Sequence, residues 1–152
     1  MIAIAASPDG RLIATPGPTA AVWDAETGER AFSVEAGDGV EDLAWSPDGR
    51  VLAAVGFGGA ATIVDRSGAS VTSLPHDREF RVSAVGFSPD GRLLATAAIP
   101  LEVRVPGLET VTIWDRKSGR AVETITTYAE AVSFEPAGSR IATAAVFGTA
   151  GV

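Results

Sequence analysis

Short runs that alternate apolar and polar residues dominate the chain, and no stretch sustains helical periodicity. In the run 111–115, Val111 and Ile113 point to one face of an extended segment, because side chains alternate along a strand. Gly, Pro and Asp separate such runs throughout the sequence. The pattern predicts an all-β protein whose antiparallel strands are joined by hairpin turns.

One turn signal, Ser-Pro-Asp-Gly-Arg, recurs along the chain. It begins at Ser7, Ser46 and Ser88, and a degenerate fourth copy begins at Glu135. Pro presets the backbone for a type I turn, and Gly accepts a positive φ. We therefore assign a turn role, not a catalytic one, to six residues: Asp9, Gly10, Asp48, Gly49, Asp90 and Gly91.

The turns recur at intervals of 39, 42 and 47 residues, and an interval of roughly 40–45 residues is typical of β-propeller repeats. In each of the first three units, the two strands joined by this turn are followed by a third strand that ends in Trp-Asp or Val-Asp. A turn that contains Gly and a fourth strand come after it. Each unit is therefore a four-stranded antiparallel meander, which buries its faces only by stacking on neighbours. We predict one domain over 1–152, a β-propeller arc with repeats at about 1–37, 38–76, 77–127 and an incomplete, two-stranded 128–152.

These motifs resemble the WD-repeat β-propeller family over essentially the whole chain. The resemblance implies a hydrogen-bonded structural network in the third repeat, made of His76, Thr96, Glu109 (where the family usually has Asp) and Trp114. In the first repeat it implies the same structural role for Trp23. It also implies a non-catalytic scaffold that binds a protein partner through rim loops, without a cofactor. Because the family most often has seven blades, about three and a half blades imply either missing blades in a longer chain or copies that assemble.

Two alternative functions stay open. One is a self-assembling structural half-propeller, and the other is a TolB-like or peptidase-associated propeller that accompanies an enzyme. Catalysis by this chain needs a nucleophile and a base close together. The sequence has one histidine and no cysteine, so we predict no enzymatic activity and assign His76 a structural role.

Composition narrows the choice of partner. The net charge of −7 comes without a cluster of Lys or Arg, which disfavours nucleic acid because phosphate binding depends on basic side chains. The longest uncharged run, 51–64, is interrupted by glycines and is shorter than the roughly 20 residues of a membrane helix. No signal peptide is visible and cysteine is absent, which suits a cytoplasmic protein.

Two local motifs suggest ligand chemistry. Residues 56–61 match the loose G-x-G-x-x-A pattern, but a strand follows where a dinucleotide site requires a helix. We therefore interpret these glycines as a β-turn and predict no cofactor. Residues 38–42 hold three carboxylates, which we interpret as a solvated acidic loop and not as a metal site, because the alternating oxygen ligands of a Ca²⁺ loop are absent.

The third repeat differs from the others by an insertion. Its turn Ser lies 26 residues before Trp114, whereas the equivalent distances in the first two repeats are 16 and 18. The extra residues fall in 99–108 and predict either a protruding hairpin or an ordinary long loop. Because loops on a rigid scaffold often carry binding residues, we predict a partner-binding site at Asp77, Arg78, Phe80 and Arg104.

Overall fold

The computed structural model describes residues 4–101, 108–145 and 150–151, and these residues form strands and connections without a helix. The strands in chain order are β1 (Ala5–Ala6), β2 (Leu12–Thr15), β3 (Ala20–Asp24), β4 (Arg30–Val34), β5 (Val40–Trp45), β6 (Val51–Gly56), β7 (Ala60–Asp65), β8 (Ser70–Pro75), β9 (Phe80–Phe87), β10 (Leu93–Pro100), β11 (Thr110–Asp115), β12 (Arg120–Thr126), β13 (Ala131–Phe134), β14 (Ile141–Ala144) and β15 (Ala150–Gly151). The predicted all-β class is confirmed.

Consecutive strands pair antiparallel and form four separate sheets. Strands β1–β4, β5–β8 and β9–β12 make the first, second and third sheets, each in simple sequence order. This order confirms the four-stranded meanders that the sequence predicts. The fourth sheet contains β13, β14 and β15, and the prediction of only two strands there is wrong. The short β15 pairs with β14 through Ala150 opposite Ala144 and Gly151 opposite Thr143.

A hydrogen-bonded turn joins the first and second strands in each of the first three sheets. In the first turn the Ser7 hydroxyl donates to the Asp9 carboxylate at 2.6 Å and accepts from the backbone N of Leu12 at 3.0 Å. The same pair of bonds recurs in the turns that begin at Ser46 and Ser88. The turn therefore depends on both Ser and Asp, because each satisfies a polar group of the other or of the backbone.

These bonds also explain the acidity of the turn aspartates. The Ser7 hydroxyl, followed by the backbone N–H of Arg11, lowers the pKa of Asp9 to about 2. The pKa values of Asp48 and Asp90 are lowered for the same leading reason, a bond from Ser46 or Ser88. The structure thus places all three carboxyls in turns as charged hydrogen-bond acceptors.

Neighbouring sheets stack face to face through their first strands, β1 on β5, β5 on β9 and β9 on β13. The face that each sheet turns to the preceding one carries large side chains on its inner two strands. In the second sheet these include Leu43 and Leu52, and in the third Val85 and Leu94. On the same strands, the face toward the following sheet carries alanines together with larger residues such as Leu12, Val51 and Val55. The alanines are Ala14 in the first sheet, Ala44 and Ala53 in the second, and Ala84 and Ala97 in the third.

The turns themselves are linked from sheet to sheet. The proline of each turn lies against the glycine of the next, in the pairs Pro8–Gly49, Pro47–Gly91 and Pro89–Gly138. In addition, Arg66 Nη2 of the second sheet lies 3.0 Å from an Asp9 oxygen, and Arg116 Nη2 of the third lies 3.8 Å from an Asp48 oxygen. Such half-exposed ion pairs add little to stability, but they fix the position of one sheet against the next.

Candidate functional site

A cleft of about 660 Å³ opens at the end of the sheets opposite these turns. Four connections contribute to it: β4–β5, β6–β7, β8–β9 and the start of β10–β11. The lining residues are Gly37, Asp38, Phe57, Gly58, Arg78 and Leu101. The cleft therefore spans the rim between the second and third sheets, and we call this set the rim cleft.

Backbone contacts that only glycine permits hold one wall of the rim cleft in place. The backbone N of Asp38 donates to the carbonyl of Phe57 at 2.8 Å, and the N of Phe57 donates to the carbonyl of Gly39 at 3.1 Å. A Cβ at Gly37 would lie 1.6 Å from the Phe57 oxygen, so no larger residue fits there. The glycines at 56, 58 and 59 thus belong to a strand–turn–strand connection, as the sequence predicts.

The rim cleft presents one exposed cation and one exposed apolar side chain. Arg78 forms no ion pair with any residue in 4–101 or 108–145, and its side chain is exposed. Leu101 is 46% exposed. On the other wall Asp38 offers a carboxylate, also exposed. The arrangement suits a ligand that combines an apolar group with hydrogen-bonding groups.

A half-buried ion pair connects the sheets in the same region. Arg81 Nη1 lies 2.9 Å and 3.0 Å from the two carboxylate oxygens of Glu41, which joins β9 to β5 across 40 positions of sequence. Arg81 Nη2 also lies 4.0 Å from a Glu130 oxygen of the fourth sheet. One arginine therefore links three sheets beside the rim cleft.

The four residues predicted to bind a partner are placed differently. Arg78 lines the rim cleft. The Asp77 carboxylate accepts a hydrogen bond from the backbone N of Glu79 at 3.0 Å. Phe80 is half-buried at the start of β9. Arg104 and most of the predicted insertion lie outside the described residues. Leu101 belongs to the insertion 99–108 that the sequence analysis singles out, whereas Phe57 was not predicted as a site residue. The glycines around Phe57 were the available signal for a tight rim connection.

Three residues of the predicted structural network meet in the third sheet. Trp114 Nε1–H donates to the Thr96 hydroxyl at 2.8 Å, and the same hydroxyl lies 3.0 Å from His76 Nε2. The His76 and Trp114 rings meet edge to face with centroids 5.2 Å apart. Glu109 precedes β11, and its carbonyl oxygen accepts from the backbone N of Thr127 at 3.0 Å.

The equivalent positions in the first two sheets show how the network changes. Trp23 Nε1–H donates to the Thr15 hydroxyl at 3.0 Å, but Trp23 is 37% exposed whereas Trp114 is 6% exposed. In the second sheet the positions equivalent to the threonine and the tryptophan are apolar, Ala54 and Val64. The threonine–tryptophan bond is thus present twice, and only the copy in the third sheet is shielded from water.

Because the half-buried His76 ring is largely removed from water, its pKa falls from 6.5 to about 4. The unfolded chain binds this proton more readily than the folded protein, so folding stability decreases as the pH falls from 6.5 toward 4. We expect the His76 contribution to this loss to approach about 3 kcal/mol at the lower end. Urea unfolding at a series of pH values measures it.

The matched variant for this measurement is His76→Gln. Asp42 has a raised pKa, chiefly because burial disfavours its charge, and its titration changes stability in the opposite direction. Subtracting the variant's unfolding free energy from that of the wild type at each pH removes the contributions of Asp42 and the other carboxyl groups. A difference profile that stays flat between pH 6.5 and 4 would contradict the expected role of His76.

The interpretation of 38–42 as a solvated acidic loop is wrong in part. Residues 40–42 belong to β5, Glu41 is held by Arg81, and the Asp42 carboxylate accepts from the backbone N atoms of Leu43 and Val85 at 2.9 Å each. Asp42 thus ties the second sheet to the third. No group of three or more His, Cys, Asp or Glu that could hold a metal occurs in the described part of the chain.

Among residues 4–101 and 108–145 there is no helix long and apolar enough to cross a bilayer.

A family model described as "Eukaryotic translation initiation factor eIF2A" matches residues 20–126, more than half of the chain. The chain belongs to this family of WD-repeat β-propellers. The predicted WD-repeat relationship and the propeller architecture are therefore confirmed, and each sheet is a propeller blade.

Two curated relatives carry the same repeat in their names. WD repeat-containing protein SL1-17 of Schistosoma mansoni is 36% identical over 122 residues, which cover 78% of this chain and 38% of that protein. WD repeat-containing protein slp1 of Schizosaccharomyces pombe is 39% identical over 82 residues, which cover 50% of this chain and 16% of that protein. The chain thus spans well under half the length of either relative.

Proposed function

We propose that this WD-repeat protein is a non-catalytic scaffold that binds a segment of a protein partner in the rim cleft. The observation that carries the proposal is the exposed pair Arg78 and Leu101, which lies across the cleft from a wall whose backbone is fixed by glycine contacts. A rigid wall lowers the conformational entropy that this protein loses when a partner binds. Arginine is enriched among the residues that contribute most to binding, and burial of the apolar Leu101 side chain adds a favourable hydrophobic contribution.

The surroundings of the one histidine support a non-catalytic role. His76 Nε2 faces the Thr96 hydroxyl, and that hydroxyl also accepts from Trp114. The Thr96 side chain is fully buried, so no substrate reaches it in this arrangement. A low pKa keeps the ring neutral at pH 7, which suits a packed structural group.

The chemistry of the rim cleft defines the partner segment. An apolar side chain of the partner lies against Phe57 and Leu101, while its polar groups bond to Arg78 and Asp38. The name of the matching family makes components of translation initiation the first proteins to screen as partners.

Selection from phage-displayed random peptides on the immobilised protein tests the proposal. We expect enriched peptides that share an apolar residue next to hydrogen-bonding residues. Arg78→Glu is expected to weaken binding of the selected peptides by about tenfold or more, because it removes the cation and adds a charge beside Asp38. Fluorescence anisotropy with the labelled peptides measures the change.

The matched control is Arg120→Glu, the same substitution at an exposed residue that begins the outer strand β12, beside the turns. Both variants change the net charge equally. Selected peptides that bind Arg78→Glu and the wild type equally, or that lose affinity for both variants equally, would show that the rim cleft is not the binding site.

A further inference from the structure

The exposed charges beside the rim cleft are mostly negative. Two of the connections that form the cleft, 35–39 between β4 and β5 and 76–79 between β8 and β9, carry these charges. Their exposed acidic residues are Glu35, Asp38, Asp77 and Glu79, and their exposed basic residue is Arg78. The cleft lies between the second and third blades, and the first and fourth blades pack on the outer sides of these two. This distribution of charge therefore belongs to the interior of the blade stack.

The turns at the opposite end of the blades have a balanced charge. In each of the first three blades an exposed arginine directly follows the turn glycine, namely Arg11, Arg50 and Arg92. The turn carboxylates of Asp9 and Asp48 also pair with Arg66 and Arg116 of the neighbouring blade, at 3.0 Å and 3.8 Å. In the described part of the chain, by contrast, the connections at the rim end contain no basic residue other than Arg78. The excess of acidic residues therefore lies mainly at the rim end.

The two arginines beside the cleft do not reverse this charge. Arg81 Nη1 lies 2.9 Å and 3.0 Å from the carboxylate oxygens of Glu41, which compensates its charge. Arg78 lies between Asp77 and Glu79 in the sequence, so acidic neighbours offset its charge as well. Its guanidinium is still a hydrogen-bond donor, and it forms no ion pair with any residue in 4–101 or 108–145. The rim therefore repels an acidic segment, whereas a neutral carbonyl oxygen can accept from Arg78.

We infer that the partner segment bound in the rim cleft is basic, with an apolar residue flanked by lysine or arginine. The inference rests on the proposed function, because it names the chemistry of the ligand for the same cleft. The apolar side chain lies against Phe57 and Leu101, and carbonyl oxygens of the segment accept from Arg78. The lysine or arginine side chains face the carboxylates of 35–39 and 76–79. Complementary charges of this kind chiefly accelerate association and discriminate against wrong partners.

Sequencing of the phage-displayed peptides that the immobilised protein selects gives the first test. We expect lysine or arginine to be enriched on either side of the shared apolar residue, relative to the unselected library. Surface plasmon resonance with the synthetic peptides then measures association and dissociation rates separately. Raising the salt concentration from about 0.1 M to about 1 M is expected to slow association about tenfold, because it shortens the range of electrostatic attraction from about 10 Å to about 3 Å.

A double variant, Glu35→Gln with Glu79→Gln, tests the rim charges directly. Neither residue lines the cleft, so the variant keeps the residues that line it and removes two nearby negative charges. We expect association at about 0.1 M salt to slow by about threefold or more, with little change in dissociation. The matched control is Glu26→Gln with Glu29→Gln, two exposed residues of the turn between β3 and β4. These lie at the far end of strands about 15 Å or more in length, so the control is expected to associate like the wild type.

The kinetics separate failure of this inference from failure of the proposed function. Arg78→Glu removes a donor that contacts the bound segment, so its effect is expected on the dissociation rate. If it speeds dissociation but the peptides lack enriched lysine or arginine, or neither salt nor the double variant at Glu35 and Glu79 slows association, the basic segment is wrong and the rim cleft remains the binding site. Selection of no peptide, or equal dissociation from Arg78→Glu and the wild type, overturns the proposed function and this inference with it.

Discussion

Gly56→Ala is expected to destabilise the protein by about 4 kcal/mol, the upper range for a single substitution. A Cβ at position 56 would lie 1.8 Å from the carbonyl oxygen of Gly39 and 2.8 Å from its carbon. Both are backbone atoms of the strand entry that Gly56 pairs with, since Val40 lies opposite Gly56. Relief of the clash requires β5 and β6 to separate. Thermal unfolding is expected to shift down by at least about 8 °C.

Gly10→Ala is the matched control, because it separates backbone strain from steric overlap. Gly10 has a φ of +70° and nothing within 4 Å of an added Cβ, whereas Gly56 has the overlap without a positive φ. The control is expected to cost about 1 kcal/mol, the penalty for a left-handed alanine. If Gly56→Ala destabilised the protein no more than Gly10→Ala, the two strands would not approach each other as closely at the rim as the structure shows.

Thr96→Val is expected to cost about 2–3 kcal/mol, because it leaves buried polar groups without partners. The substitution keeps the shape of the side chain but removes the hydroxyl that accepts from Trp114 Nε1 at 2.8 Å and faces His76 Nε2 at 3.0 Å. Thr96 is fully buried and Trp114 is 6% exposed, so water does not replace the lost bond. Urea unfolding followed by tryptophan fluorescence measures the loss.

Thr15→Val repeats the same chemical change in the first blade. There the Trp23 N–H loses an equivalent bond of 3.0 Å, but Trp23 is 37% exposed and its N–H turns to water. We expect the control to cost less than about 1 kcal/mol. Equal costs for the two threonines would show that burial of the third-blade network does not determine its contribution.

Most of the fold was predictable because its signals are local. The Ser7, Asp9 and Gly10 turn forms its hydrogen bonds within six residues, so its chemistry is visible in a short window of sequence. The alternation of apolar and polar residues along 111–115 likewise predicts a strand from a short window of sequence. The short β15 was missed, since a two-residue strand has no period to detect.

The candidate site was predictable only in part. Arg78 was found because it precedes β9 in a loop of the blade with the insertion. Leu101 was predicted only as part of the insertion 99–108, and Phe57 was not predicted as a site residue, since each joins the rim cleft through the stacking of the second blade on the third. The acidic run at 38–42 was misjudged in part, because the Asp42 carboxylate bonds to Val85, a residue 43 positions away.

The sequence by itself determined the repeat, its turn chemistry and the relationship to WD-repeat propellers, because these depend on contacts between near neighbours along the chain. The tertiary structure decided which residues surround the rim cleft, that Arg81 holds Glu41, and that Trp114 is buried. Those features arise from how one blade stacks on the next. A pattern within one blade does not encode the identity of the residues that face it from another.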